Sequence, residues 1–390
     1  MKDRWPLIAL LLVSLAIRLA WGLSRPAELG ADLPDQREYL AIAENALHGR
    51  GFVFRDERFG DDVYAFRSPG YPALVAMCGA SPRVVRMAQA VIDTSTVLAI
   101  YLLARHWLDR QASLVAAGFV AFNPFLIFFS GLLLTETLFT AVLAWGLALI
   151  SWPKVTRRAD AIHVLGLLPL AAAVITRPAS AVLVPVACLL AGKFDRTLVP
   201  RVLAGLAIVC VTLLPWAARN HLVLGRWIFT TTNTGQTQYD GFRAGAEGAS
   251  HLEELTTMPE LRGKNEVERN DYLAARGREL AMADVQRSLR LAVLKVGRTW
   301  SPVPLSDEYA SPRNTIIGLA YAVPLFMLTL VGLFRRGLPR PAKALCLLPA
   351  VYFTATVAIS VGSLRYRIPA EPPMAVLAAS VFVRRSTHGA

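Results

Sequence analysis

The chain has 390 residues, of which 54% are hydrophobic and 18% are charged, and its formal net charge is +13. Because the charges lie in short clusters between long apolar runs, this composition excludes an ordinary soluble domain and indicates a membrane protein. It also excludes nucleic acid as a partner, since the basic residues flank the apolar runs instead of gathering on one solvated face.

Ten apolar runs predict an all-α polytopic membrane protein that forms a single domain over residues 1–390. The first run, 6–24, resembles a signal peptide, but it is longer than the apolar part of one and lacks an A-x-A cleavage site, so we expect an uncleaved span. The other runs are 83–107, 112–129, 132–152, 161–176, 179–192, 201–217, 314–334, 342–362 and 370–383. Four of the ten have about 17 residues or fewer, which is short of the roughly 20 that cross a bilayer, and the last is the weakest.

The basic residues predict the orientation of these spans. With a cytoplasmic N-terminus, every cytoplasmic segment is short and positively charged, as the positive-inside rule requires. The basic residues of these segments are Lys2, Arg4, Arg105, Arg110, Lys154, Arg157, Arg158, Lys193, Arg196, Arg201, Arg335, Arg336, Arg340, Lys343, Arg384 and Arg385. Both termini are then cytoplasmic, and two long outer loops, about 25–82 and 218–313, hold nearly all the carboxylates. We therefore expect the chemistry on the outer face of an inner membrane.

The outer loops contain predicted amphipathic helices. In the first loop, apolar residues recur at helical spacing from Asp35 to Leu47, before Gly49. A helix of this kind, about 13 residues long, is expected to lie along the membrane surface. The second loop contains two further helical stretches, near 264–282 and 283–299.

Carboxylates suited to acid–base chemistry follow the first span, in the stretch Asp32-Leu33-Pro34-Asp35-Gln36-Arg37-Glu38-Tyr39. An ionised carboxylate within hydrogen-bond reach of a hydroxyl can act as a general base. Asp35 and Glu38 also have the spacing of a capping box, and spacing alone favours the structural interpretation, in which Asp35 caps the surface helix.

Two further carboxylates lie inside apolar runs. Glu136 falls near the outer end of the fourth span, where an acid is costly to bury and is a functional candidate by default. An ion pair with Arg177 or Arg219 explains it equally well. For Asp93, which lies mid-span one turn after Gln89, we favour a structural role because it is too deep for chemistry at the outer face.

Arginines recur at the outer ends of the spans, opposite to the side that the positive-inside rule favours. A single one is typically paired or extends to lipid headgroups. Several that converge on one pocket would bind a lipid phosphate, because guanidinium groups offer fork-shaped donors for phosphate oxygens. The phosphate-binding candidates are Arg67, Arg177, Arg219, Arg365 and Arg367.

These motifs together resemble bacterial membrane glycosyltransferases of the GT-C fold, and most closely family 39, the protein O-mannosyltransferase-like and lipid A aminoarabinose transferase-like enzymes. The resemblance spans nearly the whole chain. Its marks are Asp35 with Tyr39, Gly49-Arg50-Gly51-Phe52, Arg67-Ser68-Pro69-Gly70-Tyr71-Pro72, Asn123-Pro124-Phe125, Leu134-Thr135-Glu136, Thr176-Arg177-Pro178, Pro215-Trp216 with Arg219-Asn220, and Arg365-Tyr366-Arg367-Ile368-Pro369.

The resemblance implies a polyprenyl-phosphate-linked sugar donor, an envelope lipid or glycan acceptor and inverting transfer with Asp35 as general base. The family often has a second acid next to this base. Here Gln36 stands in that place, which leaves open whether Glu38 or Asp32 assists, with Glu136 a further catalytic candidate. The aromatic residues expected to line the substrate pocket are Tyr39, Tyr71, Trp216 and Tyr366.

No cofactor is expected, and a bound monophosphate does not require a divalent metal. The four cysteines form neither a CxxC motif nor a Cys/His cluster, so a zinc site is not predicted. Two other functions remain open: a flippase or transporter for lipid-linked saccharides, and a non-catalytic GT-C relative that only binds polyprenyl phosphate. A transporter is less favoured because its polar residues should line both halves of the membrane.

Overall fold

The structure is a computed structural model that describes residues 4–30, 33–152, 159–191, 198–306 and 309–383. Asp32 lies outside the described residues. So do several of the basic residues on which the predicted orientation depends, namely Lys2, Lys154, Arg157, Arg158, Lys193, Arg196, Arg384 and Arg385.

Helices dominate the described chain. They are α1 (Trp5–Ser24), α2 (Pro34–Leu47), α3 (Gly70–Met77), α4 (Pro82–Arg105), α5 (Arg110–Ala121), α6 (Pro124–Ser130), α7 (Thr135–Ile150), α8 (Ala159–Thr176), α9 (Leu183–Ala191), α10 (Leu198–Leu224), α11 (Thr234–Phe242), α12 (Glu266–Ala283), α13 (Val285–Thr299), α14 (Pro312–Phe334), α15 (Arg340–Ala358) and α16 (Glu371–Ala379). Strands β1 (Phe54–Asp56) and β2 (Asp61–Val63) form one antiparallel hairpin, in which Phe54 pairs with Val63.

The helices coincide with the ten predicted runs, which confirms an all-α polytopic membrane protein. In the described part of the chain, five helices are long and apolar enough to cross a membrane: α1, α4, α10, α14 and α15. Helices α5 and α6, bent by 49°, form a sixth candidate, and three apolar helices of 10–17 residues cover the fourth, fifth and sixth runs. The last run contains only the nine residues of α16 and a 3-10 turn, Ser380–Phe382, so it is shorter than a full span.

The bend between α5 and α6 follows from the local sequence. Pro124 occupies the first turn of α6, where a missing N–H costs nothing. The Asn123 side chain caps the same helix by accepting hydrogen bonds from the backbone N–H groups of Phe125 and Leu126. A new helix therefore starts at Pro124 and redirects the chain.

The core of the membrane region is built around α7, which packs against α4 and α8. Phe139, Leu143 and Leu147 of α7 are fully buried. The close approach to α8 depends on Gly146, because a Cβ atom there would lie 2.4 Å from Leu170 Cδ2. This helix carries Glu136 in its first turn, at the end nearest the outer loops.

Buried polar contacts also hold the membrane helices together. Arg18 of α1 pairs with Asp93 of α4 and donates to the carbonyl of Ala121, and both charged side chains are fully buried. One turn away, Gln89 accepts a hydrogen bond from the Tyr71 hydroxyl at 2.7 Å. This is the arrangement expected if Asp93 has a structural role.

The two outer loops pack on each other. The predicted helices of both loops are present as α2, α12 and α13. From α12, Arg269 pairs with Asp61 at 2.8 Å, and Glu266 accepts hydrogen bonds from the N–H groups of Tyr64 and Ala65. The second loop thereby fixes the hairpin that precedes Arg67.

Candidate functional site

Asp35 lies in the first turn of α2 and is held by two guanidinium groups. Its Oδ1 accepts a hydrogen bond from Arg67 Nη2 at 2.6 Å, and its Oδ2 accepts one from Arg365 Nη1 at 3.0 Å. The cap position of α2 is Leu33, and no side chain caps the helix there. The capping interpretation of Asp35 is therefore wrong, since its oxygens face the arginines instead of the backbone.

Arg67 reaches Asp35 from the turn before α3. Its guanidinium also contacts the Glu38 carboxylate at 2.6 Å. The turn is fixed on the end of α8, because the Ser68 hydroxyl donates to the carbonyl of Thr176 and a Cβ on Gly70 would lie 2.8 Å from the Thr176 nitrogen. Only glycine allows this close approach, so the local sequence positions the arginine.

Glu136 forms the other side of the site. It is fully buried. Its Oε1 accepts a hydrogen bond from Arg365 Nε at 2.7 Å and forms an ion pair with Arg177 Nη2 at 2.8 Å. Arg177 also donates to the Thr135 hydroxyl at 2.8 Å. Of the two partners predicted for Glu136, the structure selects Arg177, and it adds Arg365.

A single guanidinium, that of Arg365, thus joins two carboxylates that are 101 positions apart in the chain. The resulting chain of contacts is called the ion-pair network below. Its members, in the order of contact, are Glu38, Arg67, Asp35, Arg365, Glu136 and Arg177. With three carboxylates and three guanidinium groups, the network is neutral when all six are ionised.

The network keeps Asp35 ionised. Burial tends to raise the pKa of Asp35, but the neighbouring Arg67 and Arg365 outweigh it and hold the pKa below the usual value of 3.8. For Arg67 the signs are opposite: burial lowers its pKa, but the carboxylates of Asp35 and Glu38 raise it by more. Tyr39 packs against Arg67, with the guanidinium carbon 5.4 Å from the ring centroid, and burial raises its pKa to about 12.

A cavity of about 980 Å³ opens beside the network, a volume suited to a large ligand. Asp35, Arg67, Arg365 and Tyr366 line one end. Apolar side chains form a second wall, chiefly Trp21, Phe125, Phe128, Phe129, Leu132 and Leu305. Polar side chains of the second outer loop and of α14 form a third wall, among them Gln236, Asp240, His251, Arg298, Arg313 and Asn314. The cavity therefore joins an apolar surface to a charged one.

Several predicted site residues lie away from this cavity. Arg219 donates to the carbonyls of Tyr64 and Phe52, and its neighbour Trp216 donates to the carbonyl of Thr230. Tyr71, held by Gln89, is fully buried. In this structure, these side chains join the first outer loop to the helices below it.

Arg367 is also directed away from the cavity. It is fully buried, pairs with Glu371 at 2.6 Å, and lies 4.6 Å from the ring centroid of Phe125. Asn123 donates to the same carboxylate at 2.7 Å. The prediction grouped Arg367 with Arg365, but the structure brings only Arg365 to Asp35.

Some residues of the site carried no recognisable signal in the sequence. Gln36, which replaces the family's second acid, accepts a hydrogen bond from the N–H of Leu133 at 2.9 Å and so fixes α2 against the turn before α7. Asp240 on α11 lines the cavity, although its surrounding sequence matches no motif. Within the described ranges, no cluster of three or more His, Cys, Asp or Glu side chains is arranged to hold a metal ion.

The comparisons with known proteins cover the chain unevenly. The family model described as dolichyl-phosphate-mannose-protein mannosyltransferase matches residues 72–218. This range contains Glu136 and Arg177 but not Asp35, Arg67 or Arg365. No curated protein matches the sequence directly.

Solved structures match over nearly the whole chain. The oligosaccharyltransferase of Archaeoglobus fulgidus tethered to an acceptor peptide has a TM-score of 0.58 at 15% identity, covering 97% of this chain and 49% of that one. A second match is AglB, the oligosaccharyltransferase of the same archaeon, in complex with an inhibitory peptide and a dolichol-phosphate. Its TM-score is 0.56 at 16% identity, and the match covers 97% of this chain and 50% of that one. ArnT from Cupriavidus metallidurans bound to undecaprenyl phosphate has a TM-score of 0.48 at 14% identity, and the match covers 98% of this chain and 78% of that one.

The chain spans about half the length of the oligosaccharyltransferase chains that it matches. At 15–16% identity, this likeness establishes the fold. The protein is thus a membrane protein with the GT-C fold of membrane glycosyltransferases, and the match over residues 72–218 confirms the predicted resemblance to family 39.

Proposed function

We propose that the protein transfers a sugar from a polyprenyl-phosphate donor to an envelope lipid or glycan at the outer face of a bacterial inner membrane. The observation that carries the proposal is the cavity in which Asp35, between two guanidinium groups, adjoins an apolar wall. The apolar wall suits an isoprenyl chain, the guanidinium groups suit a phosphate, and the carboxylate suits an attacking hydroxyl. A dolichyl-phosphate donor in the description of the matching family and the dolichol-phosphate bound to AglB support the same class of donor.

The proposed reaction is a single displacement with inversion. Asp35 takes the proton from the acceptor hydroxyl while the hydroxyl oxygen attacks the anomeric carbon of the donor. The bond from that carbon to the phosphate oxygen breaks, and its electron pair leaves with polyprenyl phosphate. Because this phosphate is a stable anion, no separate general acid is needed. Arg67 and Arg365 stabilise the charge that develops on it, so that a divalent metal ion is not required.

Arg67 and Arg365 serve both Asp35 and the phosphate in this mechanism. When they hold Asp35, its pKa is below the usual range, which makes the carboxylate a weak base. A donor phosphate competes for the same N–H groups, and each hydrogen bond that Asp35 loses raises its basicity. Donor binding therefore strengthens the base.

The remaining members of the ion-pair network position these groups. Glu38 holds Arg67, and Glu136 holds Arg365 from the buried end of α7. Arg177 balances the charge of Glu136, to which it is paired at 2.8 Å. We assign Glu38 and Glu136 positioning roles because neither lines the cavity, whereas Asp35 does.

The test is a transfer assay with the full chain in lipid nanodiscs, using undecaprenyl-phosphate-linked sugars and envelope lipid acceptors. Asp35→Asn keeps the shape of the side chain but removes the base, so turnover should fall by about 10²–10⁴-fold. Glu38→Gln is the matched control, because it also removes a carboxylate from Arg67 but leaves Asp35 in the cavity. It should lose less than about tenfold, the effect of a partly exposed ion pair.

Each of the other outcomes contradicts a defined part of the proposal. Wild-type turnover in Asp35→Asn would remove Asp35 as the base, and loss only in Glu136→Gln would move the base to α7. Saturable binding of polyprenyl phosphate without transfer of any sugar would identify a non-catalytic binding protein. Movement of the sugar lipid across the bilayer without transfer would identify a transporter.

A further inference from the structure

A buried carboxylate that the proposed reaction does not use lies on the polar wall of the cavity. Asp240, near the end of α11, is 1% exposed and lines the cavity. Its Oδ1 accepts a hydrogen bond from the backbone N–H of His251 at 3.0 Å and a longer one from Arg243 Nε at 3.4 Å. Its Oδ2 is buried and has no hydrogen-bond partner among the described residues. A buried carboxylate oxygen without a donor is costly, so the free Oδ2 indicates a missing partner.

The position of Asp240 is fixed from several sides. Arg243, which contacts Asp240, is itself paired with Glu254 at 2.7 Å. Arg287 of α13 donates to the carbonyls of Phe242 and Arg243 and so holds the end of α11. Because these contacts restrain the backbone around it, the Asp240 side chain is held at a defined place.

The charge of Asp240 is partly balanced by a nearby buried lysine. Lys295 of α13 is fully buried, and its Nζ lies 3.8 Å from the ring centroid of Phe242. Burial and Arg287 lower the pKa of Lys295 to about 8, while Asp240 acts in the opposite direction. The ammonium group is therefore still mostly charged at neutral pH.

The charges in the cavity decide which part of a ligand meets Asp240. The donor phosphate belongs with Arg67 and Arg365, because their guanidinium groups offer it hydrogen-bond donors, whereas the Asp240 carboxylate offers none. A sugar offers several hydroxyl donors, and a buried carboxylate is a strong acceptor for them. We propose that Asp240 accepts hydrogen bonds from hydroxyl groups of the sugar carried by the donor lipid, and so sets which sugar the cavity takes. This inference rests on the proposed function.

The test compares four probes that are built on the same lipid phosphate and differ only in the sugar. One is undecaprenyl phosphate, and the others are the same lipid carrying mannose, glucose or arabinose. Binding to the full chain in nanodiscs is measured for wild type, Asp240→Asn and Asp240→Ala. Loss of a hydrogen bond to a charged group should weaken the best sugar lipid by about ten- to hundredfold in both variants. The affinity for undecaprenyl phosphate should not change.

Glu254→Gln provides the matched control, since it also removes an acid from Arg243 but does not line the cavity. It should leave the affinities for all probes unchanged. Asp240→Asn is the safer variant for folding, because its amide oxygen can still accept from the His251 N–H while its NH₂ replaces the free Oδ2. For wild type, a sugar lipid that lacks one hydroxyl should bind more weakly by the same factor. For the variants, removal of that hydroxyl should not weaken binding further.

The outcomes separate this inference from the proposed function. If wild type binds undecaprenyl phosphate as tightly as every sugar lipid, or if Asp240→Asn weakens all probes equally, Asp240 does not recognise the sugar. If Asp240→Asn binds the best sugar lipid like wild type while Asp35→Asn abolishes transfer, only the inference about Asp240 fails. If wild type binds none of the probes, the proposed function itself fails.

Discussion

Glu136→Gln isolates the effect of one buried charge on the ion-pair network. The side chain is fully buried and contacts Arg365 and Arg177 at 2.7 and 2.8 Å. Glutamine keeps an oxygen in the same place but removes the negative charge, so two ion pairs become hydrogen bonds from charged guanidinium groups to a neutral oxygen. The network then carries a net charge of +1, because three guanidinium groups face two carboxylates.

The size of the effect follows from these contacts. Removing the charge of one partner of a buried ion pair costs roughly 3–5 kcal/mol, and the hydrogen bonds that the glutamine oxygen keeps offset about 1 kcal/mol of it. The side chains of Arg177 and Arg365 are 16% and 28% exposed, and Arg365 keeps Asp35 as a partner, which lowers the loss. We therefore expect the free energy of unfolding to fall by about 2 kcal/mol, below the roughly 3–5 kcal/mol for breaking an isolated buried pair.

The measurement is a reversible unfolding titration in mixed micelles, followed by tryptophan fluorescence. Glu38→Gln is the control, since the Glu38 side chain is 14% exposed and Glu136 is fully buried, so the loss in the Glu38 variant should be smaller. Equal losses in the two variants would refute the reasoning, because burial of Glu136 would then add nothing to the pairing. A gain in stability would also refute it.

Three further predictions concern the same site. The pH profile of kcat/KM should show no acid limb above about pH 4, because Arg67 and Arg365 hold the pKa of Asp35 below 3.8. The stability that this ionised carboxylate contributes is present above pH 3.8 and is lost as the pH falls below it; a limb between pH 5 and 7 would contradict the assignment. Gly70→Ala should destabilise the protein by about 1–3 kcal/mol, measured by the same titration, because the new Cβ would lie 2.8 Å from Thr176. Treatment with EDTA should leave transfer unchanged, because Arg67 and Arg365 already supply positive charge next to Asp35 for the leaving phosphate; loss of activity that Mg²⁺ or Mn²⁺ restores would show otherwise.

The membrane helices could be predicted from the sequence because their signal is local. An apolar run of about 20 residues needs no knowledge of its neighbours to indicate a span. The amphipathic helices were equally readable, since α2 and α12 begin and end close to the predicted positions. The break in the third run was not predicted, since residues 112–129 were expected to form one span and instead form α5 and α6, bent by 49°.

The pairing of charges could not be predicted because it depends on contacts distant in sequence. Asp35 and Arg365 are 330 positions apart, and no local pattern indicates that they meet. Arg365 and Arg367 were expected to act together, but they lie in a 3-10 turn, Leu364–Ala370. With three residues per turn, side chains two positions apart point in different directions, so one meets Asp35 and the other meets Glu371.

The low basicity of Asp35 in the unliganded site is compatible with its proposed role when the charges are followed through the reaction. Asp35 and the donor phosphate each begin with one negative charge, whereas the products are a neutral carboxylic acid and a polyprenyl phosphate that carries one charge more. The negative charge therefore moves from Asp35 to the leaving group, while its total stays constant. Arg67 and Arg365 contact Asp35 beforehand and border the same cavity, so their hydrogen bonds can follow the charge. Contacts that strengthen as the charge arrives lower the barrier without binding the donor more tightly, which is what catalysis requires.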